Sequence, residues 1–162
     1  MKKLMLVLAV VAMAVAAQAS NVKWGLASGQ ALTDITTGTA YLIMGSLPDT
    51  AGWNTKASFA SGDLGGTVYR TGEFAAGTYL SANESITSPV GTYTVFMAVI
   101  NDDGSKVALS TEKSLKIAAA ATPSSLTWSA GNFTTYEAAP EPTSGLLLLV
   151  GAGLLGLRRK RA

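Results

Sequence analysis

The chain has 162 residues, contains no cysteine and no histidine, and carries a formal net charge of +2 at pH 7. The lack of cysteine excludes disulfide bonds, and the lack of histidine removes the commonest general base and the commonest metal ligand. The positive balance comes from the two ends, because the segment between Ser20 and Pro140 has six basic and nine acidic residues, a net charge of −3. Such a segment lacks the clustered Lys and Arg that phosphate contacts need, so we expect no nucleic-acid partner.

The first 19 residues have the three-part layout of a secretory signal peptide. Lys2 and Lys3 give a positive start, residues 4–17 are apolar, and Ala17 and Ala19 are the small residues of a small-x-small cleavage site. The apolar stretch is shorter than the roughly 20 residues of a membrane span, which disfavours the alternative of an uncleaved N-terminal anchor. The sequence therefore predicts export by the secretion machinery and cleavage after Ala19.

Residues 20–118 are predicted to form one β-rich domain. Short runs of apolar and β-branched residues are separated by Gly, Ser, Asp and Asn, and apolar spacing of three and four is not sustained. This pattern is typical of an all-β protein, and we predict a single antiparallel β-sandwich-like domain. Residues 50–63 are predicted to be a loop, a helical turn around Trp53, or both. The predicted strands are residues 39–44, 67–70, 92–100, 106–110 and 114–117.

The clearest local signal joins two of these strands. Residues 92–100 and 106–110 flank the sequence Asn101-Asp102-Asp103-Gly104, which predicts a β-hairpin. The paired aspartates leave a calcium loop as an alternative. It is disfavoured, because calcium needs six or more oxygen ligands and the sequence lacks the alternate acids and distal Glu of a known calcium loop.

Residues 119–138 are predicted to be either a linker or the last strand of the domain. An Ala-rich stretch broken by Pro123 indicates a boundary, whereas residues 126–129 and 132–136 have strand-like composition. Trp128, Phe133 and Tyr136 favour docking on the domain, because aromatic side chains so close together are costly to leave in water.

The body of the chain offers two kinds of candidate functional site. Flat aromatic side chains stack on sugar rings, so Trp24, Trp53 and Trp128, or the tyrosines, are candidates for a carbohydrate platform; isolated tryptophans in a small β-domain more often belong to the core. A pair of carboxylates suffices for glycoside hydrolysis, but no neighbouring motif marks a site. We therefore predict no enzyme, no cofactor and no metal. The candidate carboxylate pairs are Glu73 with Glu84 and Asp49 with Asp63.

The last residues of the sequence, 139–162, have three parts. They contain the motif Pro140-Glu141-Pro142, the uncharged residues 145–157, and the basic run Arg158-Arg159-Lys160-Arg161. The prolines favour extended backbone around the motif, which suits a protease cleft. The 13 uncharged residues span roughly 20 Å as a helix, less than the roughly 30 Å hydrocarbon core, so they predict a short transmembrane helix that is a marginal anchor. The basic run stops transfer and holds its end on the cytoplasmic side.

This arrangement resembles the PEP-CTERM sorting signal, on the residues just named. The resemblance implies a membrane-embedded exosortase as partner, cleavage near Pro140-Glu141-Pro142, and a bacterial envelope in which exopolysaccharide or biofilm is made. We expect an exported protein that is held transiently in the inner membrane by its tail and then released to the cell surface or extracellular matrix. Its body is expected to be structural or adhesive, or alternatively a carbohydrate-binding module of the exopolysaccharide matrix. An ordinary single-pass anchor that is never cut is the remaining alternative for the tail.

Overall fold

The computed structural model describes residues 18–118 and 124–139, with only the backbone described for residues 18–20. These residues are mostly β-strand, which confirms the all-β prediction. Three short 3-10 helices, η1 (Trp53–Thr55), η2 (Ser61–Leu64) and η3 (Ala130–Asn132), are the helical segments in this part of the chain. Its strands are β1 (Gln18–Leu26), β2 (Gly38–Met44), β3 (Thr67–Phe74), β4 (Glu84–Ser88), β5 (Gly91–Asn101), β6 (Lys106–Ser110), β7 (Lys113–Ile117), β8 (Ser124–Trp128) and β9 (Phe133–Glu137).

The strands form two sheets. The first has the order β4-β1-β8; the second has the order β3-β2-β5-β6-β9, with β7 also paired to β5. The long strand β5 has two partners on one side, because β7 pairs with its first half, from Gly91 to Val95, and β6 with its second half, from Ala98 to Ile100. The predicted hairpin is confirmed, since β5 and β6 pair antiparallel with Ile100 opposite Val107.

The expectation of a purely antiparallel fold is wrong at one pair of strands. β1 and β8 run parallel, with Trp24 opposite Leu126 and Leu26 opposite Trp128. A parallel pair needs a crossover instead of a tight turn. Here the chain between β1 and β8 includes every strand of the second sheet except β9, so no local sequence signal records this pairing.

The main core lies between the two sheets. β1 presents Val22, Trp24 and Leu26 to it, while Asn21 and Lys23 are exposed and Gly25 is covered by the neighbouring backbone. This alternation is the period of a strand with one buried face, although β1 and the short edge strand β4 were not among the predicted strands. The other buried residues of this core come from both sheets and include Ile86, Leu126, Trp128, Leu42, Val95, Met97 and Val99.

A second apolar cluster covers the opposite face of the second sheet. Phe96, Ala98 and Ile100 alternate along β5 with the residues of the main core and point into this cluster. The segment that contains η1 and η2 covers them with Trp53, Phe59 and Leu64. The other buried residues of this cluster come from strands β2 and β6 and are Ile43, Val107 and Leu109. Burial on both faces explains why residues 95–100 are continuously apolar instead of alternating. The uncertain residues 50–63 are thus a covering loop with a helical turn at Trp53.

The segment 119–138 contributes a strand to each sheet. β8 lies at the edge of the first sheet beside β1, and β9 lies at the edge of the second sheet beside β6. Trp128 is fully buried and its Nε1 donates a 2.8 Å hydrogen bond to the carbonyl oxygen of Thr111. The Lys113 Nζ lies 5.5 Å from the centre of its ring, within cation–π range.

Several predicted features lie outside the described residues. They are the signal peptide up to Ala17, the sorting motif Pro140-Glu141-Pro142, the apolar segment 145–157 and the basic run Arg158-Arg159-Lys160-Arg161. Ala19, the other predicted cleavage-site residue, lies in β1 opposite Thr87. Among the residues with described structure, no helix has the length and apolar character to cross a membrane.

Candidate functional site

The chain leaves the domain at the end of β9. Glu137 lies opposite Lys106 in the pairing of β9 with β6. Their side chains also form an ion pair, with 2.8 Å between Glu137 Oε1 and Lys106 Nζ. Beyond the strand, the Ala138 N–H donates a 2.7 Å hydrogen bond to the carbonyl oxygen of Ser105, and the Ala139 N–H donates one of 2.7 Å to the carbonyl oxygen of Lys56. The fold therefore holds the backbone up to the residue before Pro140.

The two acceptors belong to different loops. Ser105 follows the β5–β6 turn, where its own N–H donates a 2.8 Å hydrogen bond to Asp103 Oδ1 and its Oγ accepts one of 2.9 Å from Asn101 Nδ2. Lys56 follows η1, and its N–H donates a 3.1 Å hydrogen bond to the carbonyl oxygen of Trp53. We call these two carbonyl groups, of Lys56 and Ser105, the tail clamp.

An ion pair fixes the Lys56 side of the tail clamp. Lys56 Nζ lies 2.7 Å from Asp63 Oδ1, and Asp63 Oδ2 accepts a 2.9 Å hydrogen bond from the Ala60 N–H. The hydrogen bond from Lys56, followed by that from Ala60, lowers the pKa of Asp63 below its ordinary value of 3.8. The carboxylate thus ties η2 to the residue whose carbonyl accepts from Ala139.

The comparison with known protein families bears on this end of the chain. A family model described as the PEP-CTERM protein-sorting motif matches residues 138–161. The chain carries a PEP-CTERM sorting motif. The match covers 24 of the 162 residues and includes Pro140, Glu141 and Pro142 as well as Arg158, Arg159, Lys160 and Arg161. Neither curated proteins nor solved structures gave a match to the chain.

The PEP-CTERM motif and the folded domain overlap by two residues. The match begins at Ala138, and Ala138 and Ala139 are the residues bound by the tail clamp. Proteins with this motif are exported and are sorted by a membrane exosortase, which identifies the class of partner that acts on this end. The sequence predicted the motif, but its boundary with the fold required the backbone hydrogen bonds.

The three tryptophans do not form a carbohydrate platform. Trp24 and Trp128 are fully buried and Trp53 is 4% exposed. Their rings contact other side chains of the domain, such as Tyr79 at 4.6 Å between ring centres for Trp24. The three tryptophans are core residues and not a sugar-binding platform, because none of their ring faces is open to a sugar.

Three of the four candidate carboxylates, those of Glu84, Asp63 and Asp49, are engaged with neighbouring groups, whereas Glu73 is exposed. Glu84 lies 3.6 Å from Arg70 Nε and accepts a 3.3 Å hydrogen bond from the Tyr79 hydroxyl. Burial, and then the charge of Glu84, raises the pKa of Tyr79 to about 12. Asp63 binds Lys56, and Asp49 Oδ1 accepts a 2.9 Å hydrogen bond from the Ala51 N–H. In the described ranges, no three acidic residues come together as a metal site would require.

One open cleft of the domain is lined by uncharged residues, both polar and apolar. It has a volume of about 630 Å³ and lies where β2, β3 and the β4–β5 connection meet. The Tyr93 hydroxyl donates a 2.6 Å hydrogen bond to the Pro89 carbonyl oxygen, and the Tyr69 hydroxyl donates one of 3.4 Å to that of Thr87. The described residues that line it carry no charge: Met44, Gly45, Ser46, Thr67, Tyr69, Ser88, Pro89, Thr92, Tyr93 and Thr94.

We call this cleft, which Tyr69 and Tyr93 line, the tyrosine cleft. Ser88 adds a further polar group to it. It is 2% exposed, and its hydroxyl has no hydrogen-bond partner among the described residues. Buried hydroxyl groups normally have a partner, so this one is a candidate for a bound water or ligand. The sequence offered the tyrosines as candidates only as a class, and no local signal distinguishes Tyr69 and Tyr93, whose strands also carry the threonines that line the cleft.

Proposed function

We propose that this protein is a non-enzymatic component of the bacterial cell envelope or extracellular matrix, of structural or adhesive type, whose tail is cut by an exosortase. The observation that carries the proposal is the PEP-CTERM match at residues 138–161, directly after the last strand of a β-domain. In this proposal the predicted signal peptide starts export, the tail holds the protein in the inner membrane, and cleavage near Pro140-Glu141-Pro142 releases the domain.

The residues of the domain support a non-enzymatic role. Of the four candidate carboxylates, Asp63 holds Lys56, Glu84 holds Arg70 and Asp49 holds a backbone N–H, while Glu73 is exposed. The chain also has no histidine or cysteine for nucleophilic catalysis. The fold is two packed sheets with a covering loop, which suits a compact module displayed outside the cell.

The experiment is to follow the tail in cells. Mass spectrometry of the exported protein should show an N-terminus at Ser20 and a C-terminus near Pro142, with the protein outside the inner membrane. Replacing Pro140, Glu141 and Pro142 by alanine should leave it in the membrane fraction with its tail intact. The matched control is the Thr143→Ala/Ser144→Ala variant, which changes neighbouring tail residues and should be released normally. Unchanged release of the triple-alanine variant would contradict the proposal.

The tyrosine cleft favours a second candidate function, the binding of a neutral glycan of the surrounding matrix. Aromatic rings beside hydroxyl groups and exposed backbone suit sugars, which offer apolar faces and many hydroxyls. The volume of about 630 Å³ lies within the usual range of ligand sites. The lack of charge among the described lining residues argues for a neutral polysaccharide over an acidic one.

A glycan array probed with the purified mature protein tests this candidate. Tyr93→Ala and Tyr69→Ala should each weaken any neutral-glycan signal at least about tenfold. Tyr41→Ala is the control, because Tyr41 is another half-buried tyrosine but packs against the second cluster, away from the tyrosine cleft. Loss of the signal in all three variants, or its persistence in the two cleft variants, would argue against this site.

A further inference from the structure

We propose that the folded domain controls when its own sorting motif is cut: Ala138 and Ala139 must leave the tail clamp before the exosortase can act. The inference rests on the proposed cleavage near Pro140-Glu141-Pro142. It adds a step that the motif alone does not contain, because the step depends on Lys56 and Ser105 in the body of the domain.

Few backbone donors are available around the motif. Enzymes that recognise extended peptides bind them largely through main-chain hydrogen bonds. Proline has no N–H, so between residues 138 and 142 the available donors are those of Ala138, Ala139 and Glu141. The domain already uses two of these three, each at 2.7 Å. An amide N–H is a single donor, so the protease and the tail clamp compete for the same groups.

The position of the tail clamp makes this competition direct. Pro140 follows Ala139 without an intervening residue, so no free linker separates the domain from the motif. A protease bound across the motif would need the carbonyl groups of Lys56 and Ser105 out of its way. Cleavage therefore requires either a shift of these two loops or release of the two alanines.

Release of the alanines is the easier change. It breaks two backbone hydrogen bonds and removes only small side chains from the domain, whereas β9 is held by the whole β6–β9 ladder from Phe133 to Glu137. The loops that carry Lys56 and Ser105 are fixed by Asp63 and by the Asn101–Asp103 turn. Local opening at the edge of a fold, where few contacts are broken, costs little free energy compared with opening of the core. The opening that we propose stops at Glu137 and leaves the domain folded.

The chain offers a clean test, because it contains no cysteine. A Lys56→Cys/Ala139→Cys variant introduces one possible disulfide across the tail clamp. A disulfide spans roughly 4.4–6.8 Å between Cα atoms, and a 2.7 Å backbone hydrogen bond brings the two residues of each pair close enough to make this closure worth testing. A Ser105→Cys/Ala138→Cys variant provides a second pair, and gel mobility without reductant identifies which pair has closed.

The measurement is the rate of tail removal in exporting cells, with and without a membrane-permeant reductant. We expect the closed form to be cut at least about tenfold more slowly than the same variant after reduction. The single variants Lys56→Cys and Ala139→Cys are matched controls, and their rates should not respond to reductant. Equal rates for the closed and reduced forms would overturn the role of the tail clamp while leaving exosortase processing intact. A wild-type chain that keeps its tail would instead overturn the proposed function.

Discussion

The ring of Trp53 packs edge-on against the ring of Tyr136, with 5.2 Å between their centres and 73° between their planes. Trp53 belongs to η1 in the loop that covers the second sheet, and Tyr136 belongs to the last strand. A second aromatic contact, with Phe59 at 5.2 Å, continues this cluster into the same loop. One side chain thus joins the covering loop to the strand that leads into the sorting motif.

Replacing Trp53 by alanine should lower the free energy of unfolding by about 3–5 kcal/mol, the usual cost of removing a large buried aromatic ring. The residue is 4% exposed, so little of that ring is already in water. Urea denaturation of the mature protein measures the change. Tyr136→Phe keeps the ring contact and is the control, with an expected change below about 1 kcal/mol. A comparable loss in both variants would show that the ring contact is not the cause.

Gly25 should resist substitution because the backbone of the neighbouring segment lies against it. In β1 it has φ +138°, and a Cβ there would lie 2.8 Å from the Leu80 Cα and on top of the Tyr79 carbonyl oxygen. That carbonyl accepts a 2.7 Å hydrogen bond from the Leu26 N–H, so it cannot move freely. We expect Gly25→Ala to cost about 2 kcal/mol or more, through strain and overpacking.

The matched control for this substitution is Gly62→Ala. No atom beyond its chain neighbours and its own helical turn lies within 4 Å of a Cβ at Gly62, so its effect should stay within about 0.5 kcal/mol, as for ordinary surface positions. Thermal unfolding of both variants by circular dichroism gives the comparison. Similar midpoints for the two would contradict the close approach at Gly25.

The ion pair between Asp63 and Lys56 should make the free energy of unfolding depend on pH in the acid range. The pKa of Asp63 is lowered in the folded state, so its contribution to stability is fully present above about pH 4, the ordinary carboxyl pKa, and is lost as the pH falls through the lower folded value. The pair is partly exposed, and we expect less than about 1 kcal/mol from it.

Asp63→Asn tests this contribution, because asparagine can still accept the hydrogen bond from the Ala60 N–H but carries no charge. The variant should be less stable than the wild type at pH 7, and the difference should shrink as the pH falls below about 4. Thermal melts across this pH range make the comparison. A difference that grows in acid would have the wrong sign for a carboxylate whose folded pKa is lowered.

We expect the turn from Asn101 to Gly104 to be stabilised by its own side-chain hydrogen bonds and not by bound calcium. The Asn101 side chain donates to Ser105 Oγ at 2.9 Å and accepts from the Lys106 N–H at 2.7 Å. Asn101→Ala should therefore cost about 1 kcal/mol, whereas Asp102→Asn at an exposed position should have little effect. Millimolar calcium should leave the melting temperature of the wild type unchanged. A calcium-dependent rise that Asp102→Asn abolishes would restore the calcium alternative.

Particular residues show how far sequence reasoning reached. The Asn101-Asp102-Asp103-Gly104 turn predicted its hairpin because the signal is local and uses residues suited to turns. β1 was not among the predicted strands, although Val22, Trp24 and Leu26 stand at the two-residue spacing of a strand with one buried face. The parallel partner of β1 could not have been predicted, since it is β8, a strand far along the chain.

The candidate sites also divide into those made of consecutive residues, which the sequence predicts, and those made of distant residues, which it does not. Pro140-Glu141-Pro142 and the basic run are continuous motifs, so the sequence predicted the sorting signal that the family match shows. The tyrosine cleft and the tail clamp bring together residues from separate strands and loops. No spacing in the chain records either arrangement.

The sequence by itself determined the all-β class, the hairpin and the PEP-CTERM motif, because each depends on composition or on residues close together in the chain. Tertiary structure alone decided that the tryptophans are buried, that β1 pairs with β8, and that Lys56 and Ser105 bind the two alanines before Pro140. The physical reason is that burial and backbone pairing depend on which distant segments pack together. Local preferences can favour a strand, but they do not choose its partner.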